Sequence, residues 1–244
     1  MMRIHSFIQP EEIRKDVAPL APDESHHLAR VLRAETGQAL TLFDGQGTRA
    51  EGVIEAVTKK EVTVRITSRE TVPPPPVEIT LIQAVCKPDR FEMILQKATE
   101  LGVRRIQPIV TQNAGLPAGK IEKMIERGEA IIRNAAQQCG TAWLPVFQPL
   151  EKINRIFPNI GMYDAVFIGS LHPDARPFQE SFQSLEKPKI KTAALIIGPE
   201  GDLTKEEVDA AVAAGARPVS FGTQILRTET AAIFGLSVLA YELF

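Results

Sequence analysis

The sequence contains few residues of the kinds that build disulfide frameworks or metal centres. Its 244 residues include two cysteines, Cys86 and Cys139, and four histidines. None of these residues repeats the spacing of a zinc site, so a structural metal is not expected. Two cysteines cannot make a disulfide framework, and we therefore predict a cytoplasmic protein.

Long apolar runs and an excess of positive charge are absent as well. No segment reaches the roughly 20 apolar residues that cross a bilayer, and the N-terminal stretch MMRIHSFIQPEEIRK lacks the apolar core of a signal peptide. We therefore expect no membrane association. The formal net charge of −2 argues against a general nucleic-acid binder, because such proteins usually carry a basic surplus. An RNA partner would have to meet local basic patches.

The standard nucleotide-binding signatures are missing too. The sequence has neither G-x-G-x-x-G nor G-x-x-x-x-G-K-[ST], the patterns of dinucleotide sites and P-loops. Ser170 and His172 in the segment GSLHP suggest a serine hydrolase, but the G-x-S-x-G elbow of that class is absent. A hydrolase therefore stays a minor alternative.

Four consecutive prolines, Pro73–Pro76, mark the expected boundary between two domains. Such a run cannot donate backbone hydrogen bonds and favours an extended linker, so we place one domain at 1–72 and a second at 77–244. Before the prolines, ALTLF, GVIEAV and EVTVRI are typical of short strands, and Asp44-Gly45 is a turn signal. The first domain is predicted to be a small β-barrel with one helix.

That helix is expected within DESHHLARVLRAETG, where Asp23 or Ser25 can cap the start and Gly37 follows the end. The helical period gives it a cationic face and, on the opposite side, an apolar face of Leu28, Val31 and Leu32. The cationic face is either an ordinary solvated surface or a phosphate-binding one. The candidate RNA contacts, which include a nearby arginine of the N-terminus, are Arg3, His26, Arg30 and Arg33.

After the prolines, apolar strands alternate with helices. The predicted strands are EITLIQAV, RIQPIV, DAVFIG, TAALIIG and RPVSFG, and the predicted helices are RFEMILQKATELG, KIEKMIERGEAIIRNAAQQCG, TKEEVDAAVAAG and TAAIFGLSVLAYELF. Thr204 and Glu207 have the spacing of a capping box at the third helix. The alternation predicts an α/β domain with a parallel sheet that is covered by helices.

In open α/β sheets, ligands bind beyond the carboxyl ends of the strands. The loops expected there are GSLHP, GPEGDLT and GTQILRTET. The last of them is unusual because Arg227 and Glu229 interrupt a region that is otherwise apolar. We therefore expect a functional site that includes these two side chains.

The stretches IIGPEGDLTKEEV and VSFGTQILRTETAA resemble two C-terminal motifs of the bacterial family that methylates N3 of a uridine in 16S ribosomal RNA, a branch of the SPOUT methyltransferases. The segments ESHHLARVLR, LFDGQG and LQKATELGV are similar to that family as well, so the resemblance covers the whole chain. It implies a PUA-like RNA-binding barrel, a catalytic α/β domain with a trefoil knot, S-adenosyl-L-methionine as methyl donor, and a homodimer.

Methylation of uracil N3 requires a proton acceptor and a cation near the developing charge. Under the resemblance, we assign Arg227 to a uracil oxygen or a phosphate, and Glu229 to accepting or relaying the N3 proton. Alternatively, the two side chains pair with each other, or Glu229 stabilises the start of the last helix. The resemblance implies a cofactor pocket of backbone and apolar groups, whose candidates are Leu171, Ile197, Gly198, Gly201, Phe221, Gly222, Ile225 and Leu226.

The chain departs from the family pattern at two places. The family commonly has a glycine and an aromatic residue after GPEG, whereas this chain has Asp202 and Leu203. An arginine often follows the Cys-Gly pair of the long helix, where this chain has Thr141. In a dimer, the partner could contribute further RNA contacts, for which the candidates are Arg104, Arg105 and Arg133. Asn134 and Gln138 could line the dimer interface or the substrate cleft.

Two other functions stay open besides the hydrolase. One is a SPOUT methyltransferase that acts on a different RNA position, such as a ribose 2′-oxygen. The other is a non-catalytic RNA-binding assembly factor that retains the cofactor pocket.

Overall fold

The computed structural model describes residues 4–58, 61–183 and 185–244. Their contacts divide the chain into two compact units. Unit 1 comprises the residues up to Pro74 together with Arg133–Leu144, and unit 2 comprises Pro75–Ile132 together with Pro145–Phe244. The sequence offered no signal for the assignment of 133–144 to unit 1. The domain limits 1–72 and 77–244 stay a prediction.

Unit 1 is built around a five-stranded sheet. Its elements are β1 Ile4–Phe7, β2 Val17–Pro19, α1 Pro22–His26, β3 Ala39–Phe43, β4 Thr48–Val57 and β5 Val62–Thr71. The strand order is β1-β3-β4-β5-β2, in which β1 and β3 are parallel and the other neighbours are antiparallel. Val62, Val64 and Ile66 are buried while the residues between them are not, which gives the period of two expected for a strand with one buried face.

The Asp44-Gly45 turn between β3 and β4 is confirmed. The carboxylate Oδ1 of Asp44 accepts the backbone N–H groups of Gln46 at 2.8 Å and Thr48 at 2.9 Å. Gly45 and Gly47 have φ angles of 74° and 96°, which favour glycine because it has no Cβ. The side chain of Asp44 thus satisfies the backbone of the turn that its position predicted.

The predicted helix of unit 1 is shorter than expected. It is α-helical only over α1, continues as a π-helical turn over His27–Val31, and ends there. The wider turn changes the facing of the side chains, so Leu28 is buried whereas Val31 and Leu32 are 62% and 43% exposed. The prediction of an apolar face that includes Val31 and Leu32 was therefore wrong.

Unit 2 contains a parallel sheet. Its strands are β6 Glu78–Ala84, β7 Arg105–Val110, β8 Val146–Phe147, β9 Glu151–Lys152, β10 Ala165–Gly169, β11 Arg176–Pro177, β12 Thr192–Ile197 and β13 Arg217–Ser220. The order is β11-β13-β10-β12-β6-β7-β8, with β9 also paired to β7, and every pairing is parallel. The parallel sheet predicted from the sequence is confirmed.

Helices connect these strands, as a parallel sheet requires. They are α2 Pro88–Glu100, α3 Ala118–Glu126, α4 Gly128–Cys139, α5 Ile153–Ile156, α6 Phe178–Gln183, α7 Lys205–Ala213 and α8 Thr228–Leu243. The division between the two units falls within α4. The capping box at α7 is confirmed, because the Thr204 hydroxyl accepts the Glu207 N–H and the Glu207 carboxylate accepts the Thr204 N–H. The core of unit 2 is formed by buried aliphatic residues of β6, β10, β12 and α7.

The single long helix predicted over residues 120–140 is wrong, since the chain forms α3 and α4 with a break at Arg127. An ideal Cβ on Gly128 would lie 2.3 Å from the ring of Phe147. Only glycine permits this close contact, and glycine also weakens a helix interior. The apolar residues keep their helical period across the break, so the sequence pattern did not predict the break.

No helix in the described part of the chain combines the length and apolarity that a membrane crossing requires. The trefoil knot implied by the resemblance stays a prediction.

Candidate functional site

Three loops of unit 2 meet at one edge of the parallel sheet. The neighbouring strands β13, β10 and β12 end at Ser220, Gly169 and Ile197. Because the strands are parallel, their carboxyl ends lie at the same edge. The loops that follow line one cavity of about 270 Å³. The cavity therefore lies where the sequence predicted a ligand site.

Most of the predicted cofactor residues line this cavity, namely Leu171, Ile197, Gly198, Phe221, Gly222, Ile225 and Leu226. Gly222 has a φ of 121°, and no atom lies within 4 Å of an ideal Cβ there, so its backbone leaves room for close approach by a ligand. Gly201 is not among the described residues that line the cavity. Its carbonyl accepts the side-chain N–H of Asn113 at 2.9 Å, and it therefore serves the packing of the loop.

Asp202 occupies a backbone conformation that favours glycine. Its φ is 59°, and its N–H donates to the Pro199 carbonyl at 3.0 Å in a tight turn. Asp is one of the few residues that tolerate this conformation, because its short side chain can bind nearby backbone. Here the Oδ1 of Asp202 accepts the Leu203 N–H at 2.8 Å. Leu203 is buried in the core of unit 2, so the two departures from the family pattern preserve a turn followed by an apolar anchor.

Arg227 immediately precedes α8 and lines the cavity with an exposed side chain. The next residue, Thr228, is buried and ties three segments together. Its hydroxyl donates to the Gly198 carbonyl at 2.7 Å and accepts the side-chain N–H of Gln83 at 3.2 Å. The start of α8 is thereby held against the ends of β6 and β12, which fixes where Arg227 projects.

Glu229 lies in the first turn of α8 but is not among the described residues that line the cavity. Its side chain is 12% exposed, and its Oε2 lies 3.8 Å from the Nε of Arg90. Arg90 does line the cavity, and its Nη1 lies 3.4 Å from the Oε1 of Glu200. The structure thus does not pair Glu229 with Arg227, and it brings in a cation, Arg90, that the sequence had not suggested.

Cys86 is buried next to this charged group. Burial raises the pKa of the Cys86 thiol, and the carboxylates of Glu200 and Glu229 raise the pKa further. Because only the thiolate is a strong nucleophile, a thiol held neutral in this way is unreactive. Cys86 therefore belongs to the packing of the site.

The geometry around Ser170 disfavours the hydrolase alternative. The Ser170 hydroxyl accepts the backbone N–H of His172 at 3.0 Å, whereas the Nδ1 of His172 lies 3.2 Å from the Asp174 carboxylate. Within the described residues, no hydrogen bond joins the Ser170 hydroxyl to the imidazole. A serine nucleophile requires that bond for its activation.

The predicted RNA contacts belong to unit 1. Arg3 lies outside the described residues. His26 ends α1, Arg30 lies in the π-helical turn, and Arg33 follows with a φ of 52°. All three described side chains are exposed, so they form an accessible basic segment. Their binding of RNA stays a prediction.

The arginines suggested as contacts from a dimer partner have other neighbours within their own unit. Arg133 pairs with Asp23 at 2.9 Å, and its guanidinium lies 4.7 Å from the centre of the Phe7 ring. Arg105 lies 3.9 Å from Glu78, and burial lowers the pKa of Arg104.

Thr141, which replaces a family arginine, accepts the Trp143 N–H at 3.2 Å and so shapes the chain after α4. Asn134 and Gln138 are exposed on α4.

Sequence reasoning missed Arg90 and Gln83. Gln83 lies in β6, which is paired to β12, and Arg90 lies in the first turn of α2, which follows that strand. The general position of ligands beyond the carboxyl ends of parallel strands was a usable signal for this segment. It was not applied to β6, because the order of the strands in the sheet is not visible in the sequence.

The cavity combines apolar walls and open glycine backbone with side chains of both charges. Arg90 and Arg227 supply cations, and Glu200 and Asp202 supply carboxylates. The described residues contain no group of His, Cys, Asp and Glu side chains suited to hold a metal ion. Such a site fits a small organic ligand that has an apolar part and carries both positive and negative groups.

Comparisons with known proteins place the chain in a class of enzymes. The sequence profile of an RNA methyltransferase domain matches residues 73–240, and that of an RNA methyltransferase PUA domain matches residues 20–67. A protein from Legionella pneumophila, solved with the bound cofactor SAM, has a TM-score of 0.89 and 33% identity over 99% of this chain and 98% of that chain. The fold and the matched domains are thus those of an RNA methyltransferase.

Named relatives define the family. The ribosomal RNA small subunit methyltransferase E of Mycobacterium bovis is 30% identical over 90% of this chain and 84% of the relative. The Neisseria gonorrhoeae protein of that name, solved with S-adenosyl methionine, has a TM-score of 0.87 and 26% identity over 98% of both chains. This chain therefore belongs to the ribosomal RNA small subunit methyltransferase E family. The predicted family, fold class, enzyme class and cofactor are confirmed.

Proposed function

We propose that this chain transfers a methyl group from S-adenosylmethionine to N3 of a uridine in the 16S ribosomal RNA of the small subunit, in the cytoplasm. Its membership of the family supports the reaction. The observation that carries the proposal is the cavity to which both C-terminal motifs contribute at the carboxyl ends of β10, β12 and β13.

The residues of the cavity fit S-adenosylmethionine. The volume of about 270 Å³ is close to the lower end of the range for small-ligand sites, about 300–1,000 Å³. Leu171, Phe221 and Leu226 offer apolar surface for the adenosine, and the open backbone at Gly222 allows close approach. Glu200 is a partner for the ammonium group of the ligand. We propose that these residues hold the cofactor.

When bound, S-adenosylmethionine would supply the methyl group. Uracil N3 would form a bond to the methyl carbon while the carbon–sulfur bond breaks, and the electron pair of the broken bond would stay on sulfur. The N3 proton would pass to a base. Loss of that proton places negative charge on the uracil oxygens. Arg227 reaches the cavity from the rigid start of α8. We propose that its guanidinium stabilises this charge, as a positioned cation does without reorganisation during the reaction. Proton acceptance by Glu229 stays a prediction.

We propose that unit 1 binds the RNA through His26, Arg30 and Arg33, whose exposed side chains can reach phosphates.

We also propose a homodimer. Helix α8 is mostly apolar, yet Phe234 and Tyr241 are 43% and 87% exposed. Exposed apolar surface on such a helix is typical of a face that is covered by another protein.

The proposal is tested by incubating the protein with small ribosomal subunits and S-adenosylmethionine that carries a tritiated methyl group. Digestion of the 16S RNA should yield one labelled nucleoside, 3-methyluridine. A labelled 2′-O-methyl nucleoside would instead support a SPOUT enzyme with a different target position. An absence of label on free RNA and on subunits at every stage of assembly would support a non-catalytic assembly factor.

A further inference from the structure

Arg90 connects two segments of the cavity wall that are far apart in the sequence. It lies in the first turn of α2, and its side chain is 23% exposed. Its Nη1 faces Glu200 in the loop after β12 at 3.4 Å, and its Nε faces Glu229 in the first turn of α8 at 3.8 Å. One guanidinium therefore lies between the two C-terminal motifs.

Glu229 depends on this cation. Its Oε2 is shielded from solvent and has no hydrogen-bond partner among the described residues, although burial of a charged oxygen without compensation is costly. Arg90 is the cation that the structure places beside it. The described lining of the cavity includes Arg90 but not Glu229, so the arginine is part of the cavity wall and the carboxylate beside it is not.

Glu200 holds Arg90 from the other side. It lines the cavity, and its Oε1 accepts the backbone N–H of Lys87 at 3.1 Å in addition to facing Arg90. Lys87 is the residue that precedes α2, so Glu200 is fixed to the same segment that carries Arg90. The three charged side chains thus form a bridge between the start of α2, the loop after β12 and the start of α8.

We propose that Arg90 is a positioning residue of the methyl-transfer site and that Glu229 acts through Arg90 rather than on the reacting nitrogen. The inference rests on the proposed function. Arg90 keeps the GPEG loop and the start of α8 at a fixed spacing, and this spacing places Arg227 and the backbone of the cavity against the ligand. Removal of Glu229 leaves Arg90 with a single anchor, which loosens the same spacing.

The two ion pairs of Arg90 are longer than hydrogen bonds, whose N···O distances are about 2.7–3.2 Å. Their contribution therefore comes from charge more than from the forked geometry of the guanidinium. Lysine carries the same charge on a flexible stem, so Arg90→Lys should retain most of the function. We expect Arg90→Met to lower kcat/KM about tenfold and Arg90→Lys to lower it less than threefold, roughly the scale of coupled neighbouring side chains.

A double-mutant cycle tests the order in which these side chains act. We expect Glu229→Gln to lower kcat/KM, and the double variant Arg90→Met/Glu229→Gln to be no less active than Arg90→Met alone, because Glu229 has no role once Arg90 is gone. Loss of the buried charge in the double variant should also restore part of the thermal stability lost in Arg90→Met. Effects on kcat/KM that multiply would overturn the proposal.

The pH profile separates positioning from proton transfer. The charged and titratable groups near Glu229 are Arg90 of α2, Glu200 of the loop after β12 and Cys86 between β6 and α2, and Asp89 of α2 acts electrostatically on Cys86. We expect Glu229→Gln to lower the rate at every pH while the acidic limb of the profile keeps its position. Disappearance of that limb in Glu229→Gln would identify Glu229 as the proton acceptor and contradict our assignment.

Calorimetric titration with S-adenosylmethionine gives a readout that is independent of turnover, and we expect Arg90→Met to weaken binding several-fold. Lys97→Met is the matched control, since Lys97 is a cation of the same helix that pairs with Glu100 at 2.8 Å on an exposed surface. The methyl-transfer activity of the wild-type protein, measured with the tritiated cofactor, separates this inference from the proposed function. An inactive wild-type protein would refute the proposed function, whereas an active wild type together with a fully active and fully binding Arg90→Met would refute the role of Arg90.

Discussion

Asp202 is a residue with a side chain in a backbone conformation that favours glycine. Its φ of 59° lies in the left-handed region, which costs L-residues about 1–2 kcal/mol. The hydrogen bond from the Leu203 N–H to the Asp202 carboxylate offsets part of that cost. The strain lies in the loop that also carries Glu200, so the identity of residue 202 bears on the shape of the cavity.

The stability of variants at position 202 should therefore depend more on whether the new residue has a Cβ than on whether it carries a charge. We expect Asp202→Ala to lower the free energy of unfolding by about 0.5–1.5 kcal/mol, because alanine keeps the strain and loses the compensating hydrogen bond. Asp202→Gly should stay close to wild type, since glycine adopts this φ without strain. Thermal unfolding followed by circular dichroism measures both. Asp209→Ala, on the exposed face of α7, is the control, and equal stability of the two Asp202 variants would contradict the argument.

Glu24 in unit 1 is a buried carboxyl group, and burial raises its pKa even though a hydrogen bond from Ser6 lowers it. Gln137 of α4 also donates to the carboxylate at 2.6 Å. A raised pKa in the folded state means that folded Glu24 holds its proton at pH values where the unfolded chain has lost it. The contribution of Glu24 to stability therefore falls as the pH rises from about 4.3, the usual pKa of glutamate, through the raised pKa.

Replacement of Glu24 by glutamine should remove this part of the pH dependence. We expect the difference in unfolding free energy between Glu24→Gln and wild type to shift in favour of the variant as the pH rises from 4 to 7. Urea unfolding at a series of pH values gives the difference directly. A constant difference between Glu24→Gln and wild type across this pH range would refute the argument.

At the scale of elements, the π-helical turn over His27–Val31 explains why the basic segment of unit 1 is accessible. The wider turn and the left-handed Arg33 end the helix early, so the segment projects where a regular helix would have continued. Val31 and Leu32 are exposed beside Arg30 and Arg33. An exposed segment with both apolar and cationic side chains suits single-stranded or looped RNA.

The basic segment should contribute affinity through phosphate contacts. We expect Arg30→Ala/Arg33→Ala to weaken binding to small-subunit RNA and to lower the salt dependence of log K by up to about 2, because each lost phosphate contact removes about one released counterion. Binding at several salt concentrations measures the slope, with Arg14→Ala as a control cation. An unchanged slope would exclude phosphate contacts by both arginines.

At the scale of the whole molecule, α8 is the element that serves two purposes. Arg227 precedes it and Thr228 and Glu229 form its start at the site, and its remaining length is mostly apolar, with Leu236 and Leu239 buried and Tyr241 exposed. A helix of this composition is usually enclosed on every side. The proposed homodimer would enclose it, so the subunit interface and the site would share one helix.

The interface can be tested without damage to the core, because the Tyr241 side chain is 87% exposed. We expect Tyr241→Lys to convert a dimer into a monomer at micromolar concentration, since an unpaired charge at a buried interface is costly. Sedimentation velocity measures the mass. Met162→Lys, at a residue that is 71% exposed in unit 2, should stay dimeric, and a wild-type monomer would refute the dimer itself.

Local patterns in the sequence predicted the sheet of unit 2 and the edge of that sheet at which the cavity lies. Alternating apolar strands and helices predicted the parallel sheet, the Thr204 and Glu207 spacing predicted a capping box, and the motif residues predicted which loops form the cavity. These features depend on neighbours within a few residues or on a general property of parallel sheets, and a linear pattern carries both.

Which charged side chains meet depends on the fold of the whole domain. The backbone of Gly128 packs closely against the ring of Phe147, the exposure of Val31 follows from a π-helical turn, and the partner of Glu229 is Arg90 rather than Arg227. Arg90 and Glu200 are brought together because β6 and β12 are neighbours in the sheet, and Arg90 and Glu229 because α2 packs against α8. Strand order is set by the packing of the whole domain, and no local pattern in the chain specifies it.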